Sequence, residues 1–134
     1  MSKDIPMDTL TELHTRLHDV GAAMAEGRWT DVFASVSPDV VAHVPAVGDF
    51  HGIDELAGFV LETAAKTDDG EHLEHLDTLV GADHAALYFR ITATRPGKPP
   101  LDNLTVHLAR LDDGIIQEIW FHNFDGPAVA AFWE

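Results

Sequence analysis

Residues 101–124, LDNLTVHLARLDDGIIQEIWFHNF, constrain the fold most, because two alternating stretches joined by Asp112-Asp113-Gly114 specify an antiparallel hairpin. Asp-Gly between alternating runs favours a tight reversal: Gly takes a positive φ without steric cost and Asp tolerates the turn. Side chains alternate with period two, so Leu104, Val106 and Leu108 share one face and Asn103, Thr105 and His107 the other. In the second strand Ile115, Gln117, Ile119, Phe121 and Asn123 share a face, opposite Ile116, Glu118, Trp120, His122 and Phe124. Polar residues on faces that should be buried point to the wall of a pocket. The turn decides which faces coincide. With a three-residue loop, Leu111 pairs with Ile115, His107 faces Ile119, Thr105 faces Phe121 and Asn103 faces Asn123. With a two-residue Asp113-Gly114 loop each partner slips by one, and His107 shares a face with Trp120 and Thr105 with His122. The residues alone leave both open.

Upstream, Thr9 and Glu12 form a capping-box pattern, and Leu10, Leu13, Leu17, Val20 and Met24 follow at spacings of three and four, one apolar stripe of a helix. Gly27 ends it. Trp29, Val32, Phe33 and Val36 continue as a short second helix closed by Ser37-Pro38. Asp39 to Pro45 reads as a strand and Ala46 to Gly52 as a loop. Ile53, Leu56, Phe59, Val60 and Ala64 form a third amphipathic helix, which stops near Asp68-Asp69-Gly70. The period then changes to two: residues 71–80, 85–94, 101–111 and 115–124 read as strands. A last short helix, Pro127 to Trp133, follows. Helices first and strands after is the α+β signature. The expectation is a cone-shaped, curved antiparallel sheet wrapped around three N-terminal helices, closed by a short C-terminal helix, with a cavity between the layers.

At 134 residues the chain reads as one domain, 1–134, by the prior of about 100 to 200 residues per domain. A domain this long buries roughly two-thirds of its unfolded surface, enough for one core. There are no cysteines, which excludes disulfides, thiolate nucleophiles and Cys-ligated metals. No apolar run approaches the roughly 20 residues of a membrane helix and no charged start leads into one, so the expected setting is cytoplasmic. The formal charge of −15 repels phosphate backbones and anionic membranes, which argues against nucleic acid and membrane partners.

The order of elements and four strings, AEGRWTDVFASVSPDVVAHVP, FHGIDELAGFV, VHLARLDDGIIQEIWFHNFD and AVAAFWE, resemble the nuclear transport factor two-like superfamily, which includes ketosteroid isomerases and SnoaL-like polyketide cyclases. The resemblance covers nearly the whole chain and is nearest to the SnoaL-like branch. It implies an apolar pocket between the concave sheet face and the helices, and homodimers paired through the outer sheet face. It favours the three-residue turn, with Asn103, Thr105, His107, Ile119, Phe121 and Asn123 lining the cavity and Phe89 and Ile91 inward from the preceding strand. Isomerases of this family use an Asp before a Pro in the first strand, where this chain has Val44 before Pro45. Their oxyanion hole takes a Tyr from the first helix and a protonated Asp, positions held here by Val20 and His107. In the SnoaL-like cyclases a His matching His107 accompanies an acid/base Asp on the last strand, and here Phe121 stands at that place. No Asp-Arg-Asp network of the epoxide hydrolase kind is evident.

His107 is therefore the candidate catalytic residue, since an imidazole can donate, accept or shuttle a proton in an apolar pocket. The bland alternative is a cavity His that fills space. Asn103 and Asn123 are candidates to orient a carbonyl or hydroxyl, or else they satisfy each other across the hairpin. Thr105, Phe121, Ile119, Phe89, Ile91, Val44, Val20 and Phe59 complete the candidate binding set. Trp29 and Phe33 fit either the pocket or plain core. His43 and His51 flank the loop expected at the pocket mouth, though histidines beside loops are commonly exposed. His14 and His18, four apart, have a zinc-compatible spacing, but without an HExxH pattern they read as a solvated face, and His72, His75 and His84 likewise form no metal set. No metal or other cofactor is expected. The chain lacks a Gly-rich phosphate loop and a GxSxG elbow. The expected ligand is a small, mostly apolar organic molecule bearing a carbonyl or hydroxyl. Turnover would make the protein a cofactor-independent isomerase, cyclase or lyase; without turnover it is a ligand-binding or dimerisation module.

Overall fold

The computed structural model describes residues 7–134. The first helix, α1 (Met7–Glu26), carries the foreseen stripe, with Leu17 and Val20 buried and Leu13 and Met24 packed on the same core. It already runs at Met7, so Thr9 lies inside the helix and is not its N-cap. Its end is a Schellman motif. Gly27, at φ 73°, donates to the Met24 carbonyl at 3.2 Å and the Arg28 N–H to that of Ala23 at 2.8 Å.

A single turn follows as α2 (Trp29–Phe33). The expected continuation to Val36 fails because that β-branched residue starts β1 (Val36–Val44) and is buried there opposite Ile116. The stretch after Pro45, expected to be a loop, reverses at Ala46 (φ 63°) and forms a short edge strand, β2 (Gly48–His51), paired from Val44↔Gly48 to Val41↔His51. Four residues without alternation carry no strand signal of their own. The remaining elements, α3 (Gly52–Ala65), β3 (His72–Val80), β4 (His84–Ala93), β5 (Leu101–Asp112), β6 (Ile115–Asn123) and α4 (Gly126–Trp133), fall where periodicity placed them. Asp125 caps α4, its carboxylate accepting from the Ala128 N–H at 3.1 Å, with Pro127 in the first turn.

The fold is α+β: a curved six-stranded sheet in the order β2-β1-β6-β5-β4-β3, with helices packed on its concave face. Four of the five strand pairings are antiparallel, that of β1 with β2 among them. The exception is β1 with β6, which lie parallel because the chain returns to β1 only after α3 and three further strands. Three register shifts, in the ladders of β1, β3 and β6, bend the sheet.

The last hairpin reconciles the two turn geometries in an unforeseen way. Asp112 pairs with Ile115 across a two-residue turn in which Asp113 and Gly114 both take positive φ (50° and 75°). A bulge at Gln117 then adds one residue to β6, so Arg110 pairs with Glu118, His107 with Phe121 and Thr105 with Asn123. Turn and bulge together shift the partners by two relative to the three-residue alternative, and a shift of two preserves the face. His107 accordingly shares its face with Ile119, Phe121 and Asn123, while Trp120 and His122 point to the outer side. Ile119 is not its direct partner.

The main core lies between α1, α3 and the concave sheet face, around Leu17, Val20, Val40, Leu56, Leu87 and Phe89. A smaller cluster of Ala93, Leu101 and Phe132 seats α4 on the far end of β4 and β5. No helix among the described residues is long and apolar enough to cross a membrane.

Candidate active site

The helices do not fill the concavity. A cavity of about 570 Å³ remains between α1, α2, α3, α4 and the sheet, within the usual range for small-molecule sites. Its walls are mostly apolar. Val20, Trp29, Phe33, Val44, Phe59, Ile91, Ile119 and Phe121, all anticipated from sequence, line it, and so do the polar residues Asn103, Thr105, His107 and Asn123. Alternation on β5 puts Asn103, Thr105 and His107 on the concave face, and the Gln117 bulge keeps Asn123 of β6 in step with them.

Three anticipated residues lie elsewhere. Phe89 faces inward but is fully buried behind the cavity, packed between the His107 ring (5.2 Å between centroids) and the His75 ring (5.4 Å). His51 is exposed at the start of α3, where its backbone N–H donates to Glu55. His43 alternates outward from Val44. On the outer sheet face its two ring nitrogens donate to Asp49 (2.7 Å) and Glu118 (2.5 Å), and its ring stacks on Trp120. The Glu118 carboxylate, and then that of Asp49, holds its pKa above 6.5. His43 is thus an ion-paired surface residue away from the cavity.

His107 sits at the back wall, stacked on Phe121 with centroids 4.2 Å apart and planes 9° off parallel. No hydrogen-bond partner reaches its ring nitrogens among the described residues, so burial alone lowers its pKa to about 4. At neutral pH it is a neutral imidazole with one donor and one acceptor to offer. No carboxylate orients it, because Phe121 occupies the place across the ladder.

Asn103 donates from Nδ2 to Asn123 Oδ1 at 3.0 Å, as one of the sequence alternatives held. Its own Oδ1 has no partner, although the residue is only 4 % exposed. Thr105 donates to the His122 carbonyl at 3.0 Å. Among the described residues Asn103 Oδ1 is the buried side-chain polar atom left without a partner, and leaving such an atom unpaired costs about 1–3 kcal/mol.

Sequence reasoning missed Glu71. It stands just before β3, two residues from Leu73, and lines the cavity beside Thr63 of α3. Burial raises its pKa and a hydrogen bond with Thr63 pulls it partly back. The available signal was its period-two spacing from Leu73, which puts a carboxyl on the apolar face.

His14 and His18 are not simply solvated. The His14 Nε2 lies 3.1 Å from the Thr78 carbonyl and the His18 Nδ1 3.1 Å from the Thr78 hydroxyl, with His75 Nε2 at 2.8 Å from the same hydroxyl. These rings fasten α1 to β3, where Gly21 leaves room for His75. Among the described residues no group of three or more His, Asp or Glu is placed to hold a metal ion.

A family model described as a SnoaL-like domain matches residues 15–119. Among solved structures, Bal32a from a soil-derived mobile gene cassette is 19 % identical over 93 % of this chain and 98 % of its own, with a TM-score of 0.83. A putative SnoaL-like polyketide cyclase from Jannaschia sp. CCS1 is 18 % identical over 98 % of this chain and 97 % of its own, TM-score 0.68. AclR, a putative hydroxylase from Streptomyces galilaeus, is 18 % identical over 91 % of this chain and 85 % of its own, TM-score 0.68. At such identities these likenesses bear on the fold alone. None of the curated proteins matches.

Proposed function

The chain belongs to the SnoaL-like domain family, and from that premise we propose that it is a cytoplasmic, cofactor-independent isomerase, cyclase or lyase acting on a small, mostly apolar molecule that bears a carbonyl or hydroxyl. The observation that carries this reading is the cavity of about 570 Å³ with a neutral, unpaired imidazole in its back wall. An imidazolium of pKa about 4 is present in roughly one molecule in a thousand at pH 7, so His107 acts as a neutral group. Its unprotonated ring nitrogen takes a proton from the ligand and returns it at another position of the same molecule, ending neutral as it began, while the Asn123 amide N–H polarises the ligand's oxygen. The surrounding apolar side chains exclude water and strengthen that interaction.

A second reading, a binding module without turnover, has an observation in its favour: His107 lacks the carboxylate that would orient it. For both readings we propose a homodimer through the outer sheet face. Leu108 (40 % exposed) and Phe124 (58 % exposed) support it, lying near the half-buried Trp120 on that side.

Screening neutral apolar ketones and alcohols by thermal shift tests the pocket. A ligand at 100 times its Kd adds about 2.7 kcal/mol, an upward Tm shift of roughly 10 °C at this length. No stabiliser in a broad set refutes both readings. Turnover of any bound ligand rules out the second reading, and turnover unchanged in His107→Ala rules out the His107 mechanism.

A further inference from the structure

The cavity contains a second polar locus, away from His107. Asn103 stands four residues before His107 on β5, roughly 13 Å along the strand. Leu73, Ile91 and Asn103 form one row across β3, β4 and β5, and Glu71 lies one inward position further along β3's line. All four line the cavity at the end where Val129 and Trp133 of α4 close it.

Two independent features there specify a ligand. The first is the unpaired Oδ1 of Asn103, which needs a donor. A hydroxyl meets that need, and it would also satisfy the carboxamide if Asn103 and Asn123 exchanged donor and acceptor ends; a ketone could serve only the exchanged arrangement. The second is charge. Of the other ionisable groups lining the cavity, Glu26 is ion-paired with Arg28 at 2.6 Å and Glu62 with Lys66 at 3.5 Å, while His107 is neutral. Glu71 has the Thr63 hydroxyl and no cation partner among the described residues. When ionised, it sets a negative potential that no cation there offsets, inside a poorly solvated space.

We propose that this end of the cavity selects a neutral alcohol or phenol, hydroxyl first: Asn103 Oδ1 accepts the ligand's O–H, and Glu71 excludes carboxylates and other anions. The proposal rests on the pocket reading above and narrows it from carbonyl or hydroxyl compounds to hydroxyl compounds held at the α4 end.

Three probes with one ring system test it: 2-naphthol, naphthalene and 2-naphthoate, measured by equilibrium dialysis at neutral pH. The wild type binds 2-naphthol at least tenfold more tightly than naphthalene, as a hydrogen bond to an otherwise unpaired buried acceptor demands. It binds 2-naphthoate at least tenfold more weakly than naphthalene. Asn103→Leu abolishes the first difference and leaves the second; Glu71→Gln narrows the second severalfold and leaves the first. Naphthalene within twofold of 2-naphthol in the wild type overturns the Asn103 assignment while the pocket stands. Undiminished discrimination against 2-naphthoate in Glu71→Gln overturns the Glu71 assignment. If none of the three binds, the pocket reading falls and this proposal with it. If Asn103→Leu fails to fold, the wild-type ranking of 2-naphthol against naphthalene still tests the Asn103 assignment, and Glu71→Ala takes the place of an unfolded Glu71→Gln.

Discussion

His107 makes the pH dependence of stability calculable. Its imidazole titrates at about 4 in the folded chain because burial disfavours the charged form and no carboxylate compensates. In the unfolded chain it titrates near 6.5. Above pH 6.5 it is neutral in both states and costs nothing. As the pH falls below 6.5 the unfolded chain takes up a proton that the folded chain refuses, so stability is lost until the folded chain also protonates near pH 4. The whole loss is about 3 kcal/mol, or roughly 10 °C in Tm for a domain of this length. The assay is urea denaturation at half-unit steps from pH 7.5 to 4, comparing the wild type with His107→Gln. The substitution shifts stability by some constant amount; the informative quantity is how the difference changes with pH. The residues against the ring are Phe89 and Phe121, which do not titrate, so other ionisable groups contribute equally to both proteins and cancel. The variant should gain about 3 kcal/mol on the wild type between pH 6.5 and 4. A difference that is flat within about 0.5 kcal/mol would mean that His107 is solvated or paired, and the neutral-imidazole mechanism would go with it.

Gly21→Ala puts a Cβ 2.5 Å from Nε2 of His75, a ring held by Phe89, His18 and Thr78, so overpacking of about 1–3 kcal/mol outweighs the helix-propensity gain of about 1. In a His75→Ala background the same change should become neutral or stabilising by urea denaturation, and stabilisation in the wild type contradicts the packing account. Glu71→Gln should stabilise the protein at pH 7 and not below the ordinary carboxyl range near pH 4.5, because a raised pKa means that wild-type stability falls as the pH rises through the folded-state value; a pH-independent effect in denaturation curves refutes the burial of this carboxyl. His43 should titrate above 6.5 by NMR and move down in Glu118→Gln, its largest carboxylate influence, whereas an unmoved midpoint removes that ion pair. Deleting Gln117 should leave a folded protein with His107 still against Phe121, seen as ring-to-ring NOEs, because the bulged residue has no partner in the β5 ladder; loss of that contact would show that the bulge sets the inward face in another way.

The parts of the fold that rest on periodicity were legible. The α1 stripe, the four β-strands from residue 72 onward and the capped α4 are each specified by many residues acting together, so single errors do not move them. Features decided by the ladder were not legible. β2 exists because Gly48–His51 lies beside β1, and its residues carry no alternation. The parallel placement of β1 beside β6 and the α1–β3 fastening through His14, His18, His75 and Thr78 depend on contacts across 60 residues or more.

The cavity face of the last hairpin was legible for a reason the local pattern does not contain. The Asp113-Gly114 turn by itself predicts that Trp120 faces the same way as His107, and the turn does form with two residues. Ile116, buried opposite Leu111, obeys that register, and so does nothing beyond it, because Gln117 occupies an extra place and Glu118 resumes opposite Arg110. One inserted residue inverts the alternation downstream, which puts Ile119, Phe121 and Asn123 into the cavity and Glu118 and Trp120 beside His43 outside. Charge patterning reinforces the choice: in the other register Glu118 would be driven into the apolar wall and Ile119 and Phe121 into water. The bulge is thus the low-energy answer to a conflict between a strongly favoured two-residue turn and the burial demand of the strand that follows. The resemblance to SnoaL-like proteins anticipated the face because it carried the outcome of that conflict, whereas the turn signal alone carried only one side of it.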